Sequence, residues 1–202
     1  MSETQETVGT ILVVQGHPDP AGGHLCHALA QAYADGARAG GHRVIVIDVA
    51  QLDFPLLRSQ ADFLSGDAPL ELAEARGALL EARHVAIFFP LWLGTLPALL
   101  KGFLEQLMRP GFAYAYAADG KGFPRPLLKG RTARIVVTMG MPALAFRLWF
   151  LSAGVAILKR NILGLVGIAP VRTSVVGGVE GLGEGGRARW LKTMGTLGAE
   201  GR

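Results

Sequence analysis

A three-layer α/β domain on a doubly wound parallel sheet is the fold class predicted by this 202-residue sequence. Two observations predict it. Short apolar runs rich in β-branched residues alternate with longer segments of helical periodicity, which is the pattern of successive βαβ units. The runs are continuous rather than alternating, as in strands covered on both faces. Composition agrees, because 50% hydrophobic and only 18% charged residues are enough for one substantial core. The 28 glycines fall at the ends of apolar runs, where they serve turns. We expect one domain over residues 10–198, preceded by a flexible polar lead over 1–9.

The elements follow in order. Thr10–Gln15 (TILVVQ) is the first strand, followed by a turn from Gly16 to Gly23. Leu25, Leu29, Ala32 and Ala39 form the stripe of a helix from His24 to about Ala39, closed by Gly40–Gly41. Arg43–Asp48 is the second strand. The spacing then predicts a helix over Leu70–Ala82, a strand over Val85–Phe89 ending in Pro90, and a helix from Pro97 to about Met108 with proline at its start. After a loop over Gly111–Gly130 come a strand Ala133–Thr138, an apolar helical region Leu144–Ile162, a strand Val171–Val176 and a last helix over about Gly186–Leu197.

Several function classes are disfavoured. The formal net charge is +4, but the basic residues are scattered without interleaved aromatics, so nucleic acid is not an expected partner. Cys26 stands alone, which leaves no disulfide framework or thiolate metal site and suits a reducing cytoplasm. No secretory signal is read at the N-terminus. The most apolar stretch, Leu144–Ile168, is interrupted by Arg147, Lys159 and Arg160, so we expect a buried helix or a dimer face rather than stable membrane insertion. His24 and His27 lie three apart on one helix without an evident third ligand. They read as a solvated face, and no metal is expected.

In a doubly wound sheet, ligands sit beyond the carboxyl ends of the strands, so the residues after each strand carry the functional information. The first loop opens a helix and could cradle a phosphate, although it fits neither the P-loop nor the dinucleotide glycine signature and also reads as a plain turn. The second, Pro90–Leu91–Trp92–Leu93–Gly94–Thr95–Leu96–Pro97, is unusually apolar for a loop. It is either core packing or a wall for a flat aromatic ligand. The third, Thr138–Met139–Gly140–Met141–Pro142, contains a glycine that permits close approach, but it is also an acceptable turn.

H-P-D-P after the first strand, P-L-W-L-G-T-L-P-A-L-L-K-G-F after the third and G-F-A-Y-A-Y over Gly111–Tyr116 resemble the flavodoxin-like NAD(P)H:quinone oxidoreductase family. The likeness runs from about Thr10 to Val179. It implies a flavodoxin-like sheet of five strands in the order 2-1-3-4-5, and hydride transfer from NADPH or NADH through a bound flavin to a quinone-like or other flat aromatic acceptor. FMN is preferred to FAD, because no extension is evident to hold an adenine. By the resemblance, His17, Gly22, Gly23, His24 and Leu25 hold the phosphate. Pro90, Leu91, Trp92, Leu93 and Gly94 contact the isoalloxazine and ribityl chain, and Thr138, Met139, Gly140 and Met141 close the site. Backbone N–H groups of these last two loops would face the polar edge of the flavin.

The chain departs from the family in four places. Leu93 replaces the second aromatic often found after Trp92, and Thr138–Met139–Gly140–Met141 keeps only the first threonine and one glycine of the common Thr-Thr-Gly-Gly. Gly22–Gly23–His24 stands where Ser-Phe-Asn is usual, which leaves donation to backbone groups and His24. Phe146 and about Ser152 occupy the positions of the family's proton-handling tyrosine and histidine, so no catalytic acid or base is assigned. The same resemblance makes Phe112, Tyr114, Tyr116 and Phe146 substrate-pocket residues, the first three reaching the flavin face from a second subunit. An edge hairpin with its aromatics packed on the core is the alternative for that segment. A homodimer through the apolar helical region is expected. Two other functions fit the resemblance less well. One is a flavin-binding regulatory subunit of a membrane transporter such as a potassium efflux system. The other is an electron-carrier flavodoxin, which would typically be strongly acidic.

Overall fold

The computed structural model describes residues 8–65, 67–117 and 122–202. Most of the expected N-terminal lead, 1–7, and the tip of the 111–130 loop lie outside the described residues. Five strands, β1 (Thr10–Gln15), β2 (Arg43–Asp48), β3 (His84–Pro90), β6 (Thr132–Thr138) and β7 (Val171–Val176), form one parallel sheet in the order β2-β1-β3-β6-β7. Counted within the sheet, this is the expected 2-1-3-4-5. Two two-residue strands, β4 (Tyr114–Ala115) and β5 (Arg125–Pro126), pair antiparallel inside the segment expected to be a loop.

The period-two geometry of a strand explains why these runs are apolar throughout. On one face Ile11, Val13, Ala86, Phe88, Val136 and Val176 pack beneath α1 (Leu25–Ala39) and α7 (Gly183–Ala199), against Leu29, Tyr33 and Met194. On the other face Leu12, Val14, Ile87, Phe89, Ile135 and Val137 meet α3 (Ala73–Glu81) and α4 (Ala98–Leu107), which contribute Leu79, Leu100, Phe103 and Leu104. Glycine sets the distance between α1 and α7. A Cβ on Gly36 would stand 2.0 Å from the Gly195 carbonyl oxygen, and one on Gly198 would stand 2.1 Å from that of Tyr33.

Three differences from the sequence reading have physical causes. A short helix, α2 (Gln60–Leu64), is capped by Ser59 and held by the buried Arg109, which donates to the carbonyls of Asp62 and Asp67. The first turn of the expected Leu70–Ala82 helix is a 3-10 turn, Leu70–Leu72. The apolar region expected as one helix is broken. It runs as α5 (Ala143–Leu148), a reversal in which Leu151 and Ser152 take φ of 50° and 51°, α6 (Ala153–Ala156), and a π-helical stretch over Ile157–Leu163. No glycine or proline marks that reversal, so pattern alone runs through it. It exposes Leu144, Leu148, Trp149 and Leu151. Among the described residues, no helix is long and apolar enough to cross a membrane.

Candidate functional site

A cleft of about 480 Å³ opens at the carboxyl ends of β1, β3 and β6, lined by residues of all three anticipated loops. His17, His24 and Leu25 come from the first, Pro90, Leu91 and Trp92 from the second, and Thr138 and Met139 from the third. Its size is that of an ordinary small-molecule site.

The first loop is held from below by Gln15, the last residue of β1. Its Oε1 accepts the His17 N–H at 2.9 Å and the Cys26 thiol at 3.6 Å, while its Nε2 donates to the Cys26 carbonyl at 3.3 Å. The start of α1 is thereby fixed to the end of β1. His24 is the N-cap residue of α1 and makes no side-chain capping bond, so the first-turn amides of Leu25 and Cys26 are unpaired donors at the cleft. Gly22 and Gly23 have φ of 74° and 79°, the left-handed backbone that turns the chain into the helix. The cleft has the fixed partial positive charge of a helix start at one end.

Three imidazoles gather there. The His17 ring stacks on His24 with centroids 4.1 Å apart and lies 4.8 Å from His27. His17 Nδ1 accepts the Asp19 N–H at 3.1 Å. Burial, then the neighbouring His24 and His27, lower the His17 pKa from 6.5 to about 4 against the pull of Asp19. Asp19 Oδ2 pairs with His24 Nε2 at 2.8 Å, and that bond, with the Ala21 amide on the same carboxylate, lowers the Asp19 pKa. The solvated helix face expected for His24 and His27 is only half right. His24 is open, whereas both His27 ring nitrogens are buried and make no hydrogen bond. Among the described residues, no group of three His, Cys, Asp or Glu side chains is placed to hold a metal ion.

The second and third loops offer fewer amides than expected. Leu91 N–H donates to the Thr138 carbonyl, Trp92 N–H to Thr95 and Met139 N–H to Val176, at 2.8, 2.9 and 2.9 Å. These bonds tie the loops to each other and to β7. The amides of Leu93, Gly94 and Gly140 make no backbone hydrogen bond, and none of these three residues is among those lining the cleft. Leu93 and Gly94 both take left-handed backbone, and Leu93 is fully exposed at the rim. Gly140 abuts Glu180, whose Oε1 would be 3.4 Å from a Cβ there. Met141 packs on the core, away from the cleft lining.

The aromatic candidates are placed elsewhere. Phe146 is fully buried in the core, so its assignment to a substrate pocket is corrected: packing leaves the ring no open face. Tyr114 is buried and lines a separate apolar cavity of about 270 Å³ with Phe63, Leu104, Met108 and Ile162. Tyr116 is half exposed and meets the Tyr114 ring edge-on at 5.5 Å, which is the same-side placement expected of alternating residues. Phe112 lies under the Arg76 guanidinium, 4.2 Å from the ring centroid. Within one chain none of the three reaches the cleft.

Sequence reasoning missed Asp19, Cys26, Val179 and Glu180 as lining residues. Val179 and Glu180 follow β7, and the rule that ligands sit beyond strand ends would have included them had it been applied to the fifth strand. Cys26 is almost fully buried, and burial pushes its thiol up to about 12.

A family model described as the flavodoxin-like fold matches residues 9–194. An uncharacterized NAD(P)H oxidoreductase of Haemophilus influenzae is 25% identical over a stretch covering 64% of this chain and 63% of that protein, so the chain spans less than two thirds of this relative. An FMN-dependent NADH:quinone oxidoreductase of Nitratidesulfovibrio vulgaris is 27% identical over 84% of this chain and 86% of its own length. Among solved structures, the NAD(P)H:quinone oxidoreductase of Methanothermobacter marburgensis superposes with a TM-score of 0.79 at 20% identity. The alignment covers 96% of each chain. At that identity the likeness speaks to the fold.

Proposed function

The chain belongs to the flavodoxin-like fold family, and on that premise we propose that it is a flavin-dependent NAD(P)H oxidoreductase acting on quinone-like or other flat aromatic acceptors. The observation that carries the proposal is the single cleft in which an uncapped helix start faces one end and the apolar Pro90–Trp92 loop walls the other. That polarity suits a ligand with a phosphate at one end and a flat ring at the other. The residues present fit FMN: the amides of Leu25 and Cys26 would take the phosphate, and Pro90, Leu91 and Trp92 would lie against the ring. The names of the similar proteins support the same choice.

Bound flavin supplies the two-electron relay between nicotinamide and acceptor. The contribution of this chain is placement, since Phe146 is buried and no acid or base is assigned. Well-oriented reactants gain about 7–11 kcal/mol, enough to carry much of the rate effect without a side-chain proton donor. A homodimer belongs to the proposal. The exposed Leu144, Leu148, Trp149 and Leu151 form an apolar patch that a second copy would cover, and Phe112 and Tyr116 of that copy would supply the missing cover of the cleft. We place the protein in the cytoplasm, in keeping with its lone buried thiol.

The test is a visible spectrum of the purified protein before and after adding FMN, followed by NADPH or NADH without oxygen. The protein should hold FMN and bleach on reduction, then regain colour with a quinone. A protein that leaves FMN fluorescence unchanged at saturating concentration refutes the proposal.

A further inference from the structure

We propose that docking of the flavin phosphate in this cleft is coupled to proton uptake by the His24 and His27 imidazoles, so that the site selects a phosphorylated flavin in a pH-dependent way. The inference rests on the proposed flavin site and concerns the charge balance at its phosphate end.

A phosphate monoester brings a charge of about −1.5 to −2 at neutral pH. Among the described residues, no Lys or Arg lines the cleft, although the chain as a whole is basic. The carboxylates facing the same space are Asp19 of the first loop and Glu180 beyond β7. Cys26, at the start of α1, contributes a thiol that stays protonated. Partial charge from the helix start is the one fixed attraction, equivalent to about half an elementary charge. It cannot balance a dianion beside two carboxylates. The basic groups at hand are the three imidazoles.

Their geometry divides the work. His17 Nδ1 accepts the Asp19 N–H, so the ring is neutral and its remaining hydrogen sits on Nε2, which makes no bond within the chain. With the residue more than nine-tenths buried at the cleft wall, that Nε2–H is a ready neutral donor. His24 stacks on it and already engages the Asp19 carboxylate. His27, 4.8 Å from His17 and 5.6 Å from His24, keeps two buried nitrogens without partners. A dianion docking beside His17 and His24, which line the cleft, brings its field to His27 behind them, and the proposed uptake places the balancing protons on His24 and His27. Each proton taken from solvent onto a ring nitrogen cancels one negative charge, and no bond between heavy atoms changes.

Binding of FMN and of riboflavin, which lacks the phosphate, is measured by fluorescence quenching between about pH 6.5 and 8.5, above the second phosphate pKa of about 6. FMN affinity should fall as pH rises, by up to about tenfold per pH unit for each proton taken up. Riboflavin affinity should change less than about twofold over the same range. Calorimetry of the wild-type protein in two buffers of different ionisation heat counts the protons directly, and a count of zero for FMN overturns the proposal. The doubly substituted variant, His24→Gln with His27→Gln, should lose the FMN slope. Retention of the full slope overturns the assignment to these two rings. A protein that binds neither flavin refutes the proposed function and this inference together, whereas FMN binding without proton uptake refutes this inference alone.

Discussion

Replacing Gly154 by alanine forces α6 and the Trp92 loop apart. A Cβ at Gly154 would sit 2.0 Å from the Gly94 carbonyl oxygen and 2.8 Å from the Thr95 Cα, where real Cβ contacts essentially never fall below 3.0 Å. One backbone must move by at least 1.0 Å, and neither partner is a flexible side chain that could turn aside. Overpacking of this kind costs about 1–3 kcal/mol, and the better helix propensity of alanine returns at most about 1 kcal/mol. For a chain of this length each kcal/mol lowers the melting temperature by about 2–4 °C, so Gly154→Ala should melt lower by up to about 12 °C. The loop carries Pro90, Leu91 and Trp92 of the cleft, so a displacement of an ångström should also reduce NAD(P)H oxidation, by as much as about 100-fold. Thermal unfolding followed by circular dichroism is the assay, with Gly77→Ala as control. Gly77 lies inside α3 with nothing within 4 Å of its would-be Cβ, so alanine there should stabilise by up to about 1 kcal/mol. If Gly154→Ala melts at or above the wild-type temperature, the contact between α6 and the loop is not what fixes the cleft wall.

Three further outcomes follow from the packing and burial described. Gly36→Ala should lower stability by about 1–3 kcal/mol through its clash with the Gly195 carbonyl, yet leave FMN affinity per folded molecule unchanged; a melting temperature equal to wild type would contradict it. Burial, then Arg134, Arg172 and His42, lower the His84 pKa from 6.5 to about 4. Above pH 6.5 the ring is neutral folded and unfolded and contributes no pH dependence. From there down to about pH 4 the unfolded chain binds a proton that the folded chain refuses. Stability should therefore fall through that window by up to about 1.4 kcal/mol per pH unit, with His17 adding in the same direction. The urea midpoint should track this, and His84→Gln should flatten it; an identical pH profile in the variant would count against a buried neutral His84. Cys26, with its thiol raised to about 12, should resist a thiol reagent at pH 8 in the folded protein and react fully in urea. Rapid native labelling would show that the first turn of α1 opens far more readily than its burial indicates.

Much of the fold was legible because the parallel strands announce themselves. TILVVQ, RVIVID and the run through Ile87 to Phe89 have no polar alternation, and the first and third are closed by Gly16 and Pro90, so few other elements fit them. The short α2 was not legible, since its anchor, Arg109, lies more than forty residues further along the chain. The break at Leu151–Ser152 was hidden because leucine and serine give no warning of left-handed backbone. At the candidate site, the strand-end rule pointed to the three loops and the resemblance supplied the residues within them, while Asp19, Cys26, Val179 and Glu180 of the lining were missed. Neither could foresee that Leu91, Trp92 and Met139 spend their amides on neighbouring carbonyls, because hydrogen-bond partners across loops are set by register rather than residue type. For Tyr114 and Tyr116 alternation fixed the shared side, and the antiparallel hairpin with Tyr114 buried is the edge-hairpin alternative; alternation says nothing of what covers a ring.

The glycine seam between α1 and α7 joins the first helix of the chain to the last. During synthesis α1 emerges early with Leu29 and Tyr33 bare on the face that Met194 will cover, and it must wait until some 160 further residues have left the ribosome. A nascent chain halted before Gly183 carries β1, β3 and β6 with one side of the sheet half roofed. Closure of that face consequently waits for α7, and any factor that shields apolar surface on the ribosome has a long task there.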